Sequence, residues 1–128
     1  MDAIDAMDAK EDKHLREETL SSQPLLSSHF LQVLGDTVRL PDGRTATRDY
    51  IVHPGAVMVI PLLHTTDGWR VVLERQFRYP VHRVMVEFPA GKLDAGEATL
   101  ACGQRELLEE TGYTATEWAH AGVIHPCI

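Results

Sequence analysis

The sequence predicts an α/β fold in one domain behind a short leader, and three observations carry that expectation. A chain of 128 residues is enough for one core and too short for two ordinary ones. Between residues 29 and 93, short β-like runs alternate with turn residues. From Asp94-Ala95-Gly96 to Thr111 the apolar spacing becomes helical, and Gly112 supplies a natural C-terminal stop.

Residues 1–28 hold few residues able to bury a core. Seven acids and three bases in residues 1–18 carry −4 of the chain's −7, and Ser21, Ser22, Ser27 and Ser28 follow around Pro24. This composition reads as an acidic, Ser-rich flexible leader with a short frayed helix, or alternatively as a partner-binding acidic helix. Residues 29–53 form an N-terminal β segment. Phe30–Leu34 is a β-like run closed by Gly35-Asp36, and Pro41-Asp42-Gly43 is a turn joining Thr37–Leu40 to Arg44–Val52 as a hairpin. The remainder, 54–128, opens on Ala56–Leu63, a continuous apolar run whose length and β-branched content predict one strand buried on both faces. Asp67-Gly68 turns the chain into a strand over Trp69–Phe77, and Met85–Phe88 is another, ended by Pro89-Ala90-Gly91. In the helix, Leu100, Ala101, Gln104, Leu107 and Leu108 share one side, while Glu106, Glu109 and Glu110 share the other. Residues 114–124 return to β-like sequence.

Composition excludes several classes. Hydrophobic residues at 44% and charged residues at 24% match globular chains rather than disordered ones. The negative balance argues against a nucleic-acid-binding face. No apolar run approaches the length of a bilayer span, and the acidic start is unlike a secretory signal, so no membrane association and a cytoplasmic location are expected. Cys102 and Cys127 form no CxxC pair and read as plain thiols.

Carboxylates at i, i+3 and i+4 of one helix repel. A solvated acidic face is the ordinary account of ExxEE; a hard divalent cation, which prefers carboxylate oxygen, is the sharper one. The surroundings favour the second. Gly91, Glu97 and the run Arg105-Glu106-Leu107-Leu108-Glu109-Glu110-Thr111-Gly112-Tyr113 match GX5EX7REUXEEXGU without a gap, where U is a bulky aliphatic or aromatic residue. Seven fixed residue types give a chance match on the order of 10⁻⁹ to 10⁻⁸ per starting position. This segment resembles the Nudix box. The resemblance implies a Nudix α/β/α sandwich with a mixed sheet, in which Glu106 and Glu110 bind Mg²⁺ or Mn²⁺. It makes Glu109 a further ligand or water-orienting base, and the Ala90 carbonyl the completion of the metal shell. It also implies that Arg105 positions the glutamates together with Glu97, and that Gly91 permits the tight loop.

Two flanks, Glu74–Pro80 and Glu87–Asp94, resemble the ADP-ribose pyrophosphatase branch of that family, as does His53-Pro54-Gly55-Ala56-Val57. The branch implies that Arg78 reaches substrate phosphate, for which its planar fork is suited; a strand-end surface arginine is the alternative. Glu87 is implied as a contact to substrate or metal-bound water, or as a structural residue at a strand end. Arg48, Asp49 and His53 fall where the branch places residues near the base and phosphates, on a β segment that often pairs with a second subunit, so a homodimer is implied; a hydrogen-bonded structural histidine is the alternative for His53. Trp69 and Trp118 read as packing residues rather than adenine platforms.

The branch continues for several dozen residues past the position of Ile128, so the domain is expected to be incomplete at its C terminus. A general base can therefore lie beyond Ile128, with Glu109 the nearest substitute within the chain. The implied activity is Mg²⁺-dependent hydrolysis of ADP-ribose, or of a related nucleoside diphosphate sugar, to AMP and ribose 5-phosphate. An inactive fragment and a non-catalytic nucleotide-binding module are the alternatives.

Overall fold

The computed structural model describes residues 12–126; the expectations for residues 1–11 and for Cys127 lie outside them. The chain divides into two compact units, one ending at His53 and one beginning at Pro54.

The first unit is an antiparallel meander. Strands β1 (Glu18–Ser27), β2 (Gln32–Arg39) and β3 (Thr45–Val52) form a sheet in that order, after a single 3₁₀ turn at Asp12–Leu15. Residues 18–27 are thus a strand, not part of a flexible leader. Backbone groups rather than side chains make the ladder to β2, so a Ser-rich sequence can join it. Register shifts between Thr19 and Ser21 and between Pro24 and Leu26 accommodate the proline, and β1 is an edge strand, where a missing N–H is tolerated. The Pro41-Asp42-Gly43 hairpin forms between β2 and β3, with Arg39 opposite Thr45. Gly35-Asp36 does not interrupt β2. Alternation puts Asp36 and Val38 on one buried face. Tyr50 donates its hydroxyl to Asp36 Oδ2 at 3.2 Å, and burial together with that carboxylate raises the phenol pKa.

In the second unit the apolar run divides. It gives β4 (Ala56–Met58) and β5 (Leu62–Thr65), separated at Pro61, which has no N–H to donate. Only one face is covered: Val57 and Val59 turn inward, while Met58, Ile60 and Leu62 are exposed. The expected Trp69–Phe77 strand is likewise two, β6 (Gly68–Val71), paired with β5, and β7 (Glu74–Arg78). Strand β7 pairs antiparallel with β8 (Arg83–Glu87). Strand β8 stops at Glu87, just ahead of Pro89-Ala90-Gly91 as expected; Ala90–Lys92 then forms β9 in a different sheet, paired with β4, and Val59 donates its N–H to the Pro89 carbonyl at 2.9 Å. No strand forms over residues 114–124.

Helix α1 (Thr99–Thr111) packs on β4 and β9. It ends where expected, at Gly112 with φ +73°, whose N–H bonds the Leu108 carbonyl at 2.9 Å, a left-handed cap that glycine adopts without strain. Its buried face is Cys102, Gly103, Glu106 and Leu107. Leu100 and Leu108 are each 52% exposed, contrary to the apolar side read from the sequence. The reason is packing: the absent side chain of Gly103 brings α1 close to Val57 and Val59, and that rotation carries Glu106 inward.

Candidate functional site

The site is built where α1 meets the loop into β9. Arg105 is its hub. Its Nε and Nη2 donate to Glu97 Oε1 and Oε2 at 2.9 and 2.8 Å, its Nη1 donates to Glu106 Oε1 at 2.6 Å, and Nη2 also donates to the Lys92 carbonyl at 3.2 Å. One planar fork therefore ties the helix to the preceding loop and holds Glu106 in place. Glu97 is tied again by the Asp94 N–H, 3.0 Å from its Oε2. The Arg105 hydrogen bonds, with that backbone bond second, pull the Glu97 carboxyl down to about 2 from 4.5.

A carboxylate with a depressed folded-state pKa stabilises in full above its unfolded value and loses that contribution as pH falls through the folded one. The stability difference between the parent and Glu97→Gln is accordingly expected to be constant above about pH 5 and to vanish as pH falls from 4.5 towards 2. Thermal melts of both proteins across that range check it; a difference that persists at the acid end would separate the pair from Arg105 charge.

Glu106 and Glu110 are positioned by backbone. A Cβ built on Gly91 would overlap the Glu106 carboxylate, so the loop reserves that volume for it. Glu110 Oε2 accepts the Ala90 N–H at 2.9 Å. The structure thus brings Ala90, Gly91, Glu97, Arg105, Glu106 and Glu110 together. Glu109 sits at the rim, its side chain 58% exposed and 3.4 Å from Arg105 Nη1. Among the described residues, no three His, Cys, Asp or Glu side chains are gathered closely enough to hold a metal ion. The donor chemistry nevertheless fits a hard cation. One oxygen of each of Glu106 and Glu110 is taken by an N–H, and among the described residues the other has no donor, beside the backbone of Ala90.

The β7–β8 hairpin adds a second cluster. Arg78 donates from Nε to Glu87 Oε1 and Oε2 at 3.1 and 3.0 Å and from Nη2 to Oε2 at 2.6 Å, which lowers the Glu87 pKa and raises that of Arg78. Sequence reasoning passed over Glu74. It lies directly across from Glu87, and burial, then the charges of Glu110 and Glu87, raises its pKa, so it faces the same field as the helix carboxylates. Only strand pairing reveals this, since Glu74 is 36 positions from Glu110 in the chain.

Arg48 and His53 belong to the first unit. Arg48 is on β3, where it pairs with Glu17 and donates to the Thr47 carbonyl at 2.9 Å. Trp69 stacks edge-on with His64, ring centroids 5.0 Å apart. Trp118 donates to the Ala115 carbonyl at 3.1 Å and lines an open groove of about 400 Å³ with Gln104, Arg105 and Leu108.

The NUDIX domain matches residues 52–126, and the nucleoside diphosphate sugar hydrolase N-terminal domain matches 17–51. The chain is 41% identical over 103 residues to the ADP-ribose pyrophosphatase of Bacillus subtilis, covering 80% of this chain and 54% of that protein. It is 39% identical over 108 residues to the methanol dehydrogenase activator of Bacillus methanolicus, covering 83% and 57%. A crystal structure of an ADP compounds hydrolase superposes with a TM-score of 0.67 at 22% identity, over 80% of this chain and 54% of that one, a likeness of fold. The chain spans about half the length of these relatives. With an ungapped box on the Gly91 loop and α1, an α/β fold shared with a solved hydrolase, and a domain match over most of the second unit, the chain belongs to the NUDIX family.

Proposed function

We propose that this chain carries the catalytic machinery of a divalent-metal-dependent hydrolase that cleaves the pyrophosphate bond of ADP-ribose, or of a related nucleoside diphosphate sugar. The observation that carries the reading is the Arg105 hub, which holds Glu106 over Gly91 while Glu110 is held at the Ala90 N–H. The name of the Bacillus subtilis relative supports the substrate class.

Glu106, Glu110 and the Ala90 carbonyl would hold Mg²⁺, with Mn²⁺ the nearest substitute. Such an ion, when bound, neutralises phosphate charge and activates water. Arg105 and Glu97 fix the carboxylates before substrate arrives, so little reorganisation remains at the moment of reaction. Glu109, at the rim, orients the attacking water. Arg78 contacts the diphosphate with Glu87 beside it. Arg48 and His53 contribute contacts to base and phosphates from the N-terminal segment, which also pairs two copies into a homodimer acting in the cytoplasm. Water oxygen bonds to one phosphorus as the bridging P–O bond breaks, so the halves part as AMP and ribose 5-phosphate.

The test incubates the protein with Mg²⁺ and ADP-ribose, ADP-glucose, diadenosine polyphosphate or NADH and identifies products by chromatography. AMP released fastest from ADP-ribose is the expected result. Release fastest from another substrate would reassign the substrate class. Binding of ADP-ribose without any product would make the chain a nucleotide-binding module.

A further inference from the structure

We propose that Glu87 is a positioning residue that aims Arg78 at the substrate phosphate, an inference that rests on the reading of Arg78 as a phosphate contact. Register carries the first step. Within the β7–β8 hairpin Arg78 lies opposite Arg83, and Glu87 lies opposite Glu74. Positions 74, 76 and 78 share a face with 83, 85 and 87, so the Arg78 side chain runs back along that face to reach Glu87. Such a long side chain loses considerable rotamer freedom when held, and the carboxylate is what holds it.

The second step is the choice of edge. Glu87 engages the Nε–Nη2 side of the guanidinium. Among the described residues Nη1 has no hydrogen-bond partner. Of the five N–H groups of arginine, those of Nη1 and one of Nη2 remain, and together they form the end-on fork that suits two phosphate oxygens. Arg78 is 45% exposed on its side chain, and its Glu87 contacts leave the Nη1 end uncommitted among the described residues. The third step is linkage to the metal-binding loop: Glu87 ends β8 and is followed within three residues by Ala90, whose N–H holds Glu110. Aiming Arg78 from Glu87 therefore registers the phosphate contact to the carboxylates. Glu74, directly opposite Glu87, adds a second carboxylate whose repulsion the Arg78 charge offsets.

A partly exposed ion pair with only a structural role adds little to stability and nothing to ligand affinity, which makes the two accounts separable. Equilibrium binding of α,β-methylene ADP-ribose, which cannot be hydrolysed at its bridge, is measured with Mg²⁺ by calorimetry for the parent, Arg78→Ala, Glu87→Gln and the double variant, with melting temperatures as a folding control. Arg78→Ala is expected to weaken binding about tenfold. Glu87→Gln is expected to weaken it severalfold, and the double variant to bind no more weakly than Arg78→Ala. Glu87→Gln binding as the parent does overturns the proposal. So does tighter binding, which would mean that the carboxylate competes with phosphate, or a double variant that pays both penalties in full. Failure of the underlying reading looks different: the parent does not bind, or Arg78→Ala binds as tightly as the parent, and the proposal falls with it.

Discussion

Glu110→Gln is expected to lower ADP-ribose turnover by about 10²-fold or more while the protein melts within a few degrees of the parent. Glutamine keeps an oxygen that can accept the Ala90 N–H, so the local fold survives, but the charge that would bind a divalent ion is gone. Glu106→Gln follows the same logic, retaining an acceptor for Arg105 Nη1. Glu109→Gln, at the rim and mostly exposed, is expected to lose less. Rates of AMP release, with circular dichroism melts alongside, measure all three. Turnover by Glu110→Gln equal to that of the parent would remove the residue from any metal site.

The second large effect is expected from the smallest change. Gly91→Ala adds one methyl group, and that methyl occupies space the Glu106 carboxylate now holds. The backbone is not what forbids it, because Gly91 is not among the glycines with positive φ. The flexible end of Glu106 has to move instead. Since displacement of a catalytic group by about 1 Å can cost about 10²-fold, turnover is expected to fall by that order with only a small loss in melting temperature. A variant that melts normally and turns over at the parent rate would show that the Glu106 position seen here is not the one catalysis uses.

Gly91 also illustrates what a motif can and cannot convey. The spacing from Gly91 to Tyr113 makes the helix and its end legible, because the geometry between positions 105 and 112 is local: 3.6 residues per turn sets Glu106 and Glu110 one above the other, and Gly112 ends the helix by a requirement of its own backbone. The Pro41-Asp42-Gly43 turn is legible for the same reason. The clash between a Cβ at 91 and a carboxylate at 106 is not legible, since it depends on how close the loop lies to α1.

Most of the places where the sequence reading and the fold part company are long-range; the break at Pro61, set by a residue within the run itself, is the exception. Residues 18–27 look like a solvated tail until β2 offers their backbone a ladder. The run 56–63 looks doubly buried until Pro61 breaks it and one row faces outward. Leu100 and Leu108 look like the core face of α1 until Gly103 seats the helix against Val57 and Val59.

By itself, then, the sequence determined the α/β class and the family, because these follow from residue type and short spacing. Only the tertiary structure decided which oxygen each of them holds: Arg105 shared among Glu97, Glu106 and Glu109, Glu110 on the Ala90 N–H, and Arg78 on Glu87 across from Glu74. Hydrogen bonds and ion pairs are settled by distances of a few tenths of an ångström, and those distances come from packing between segments far apart in the chain.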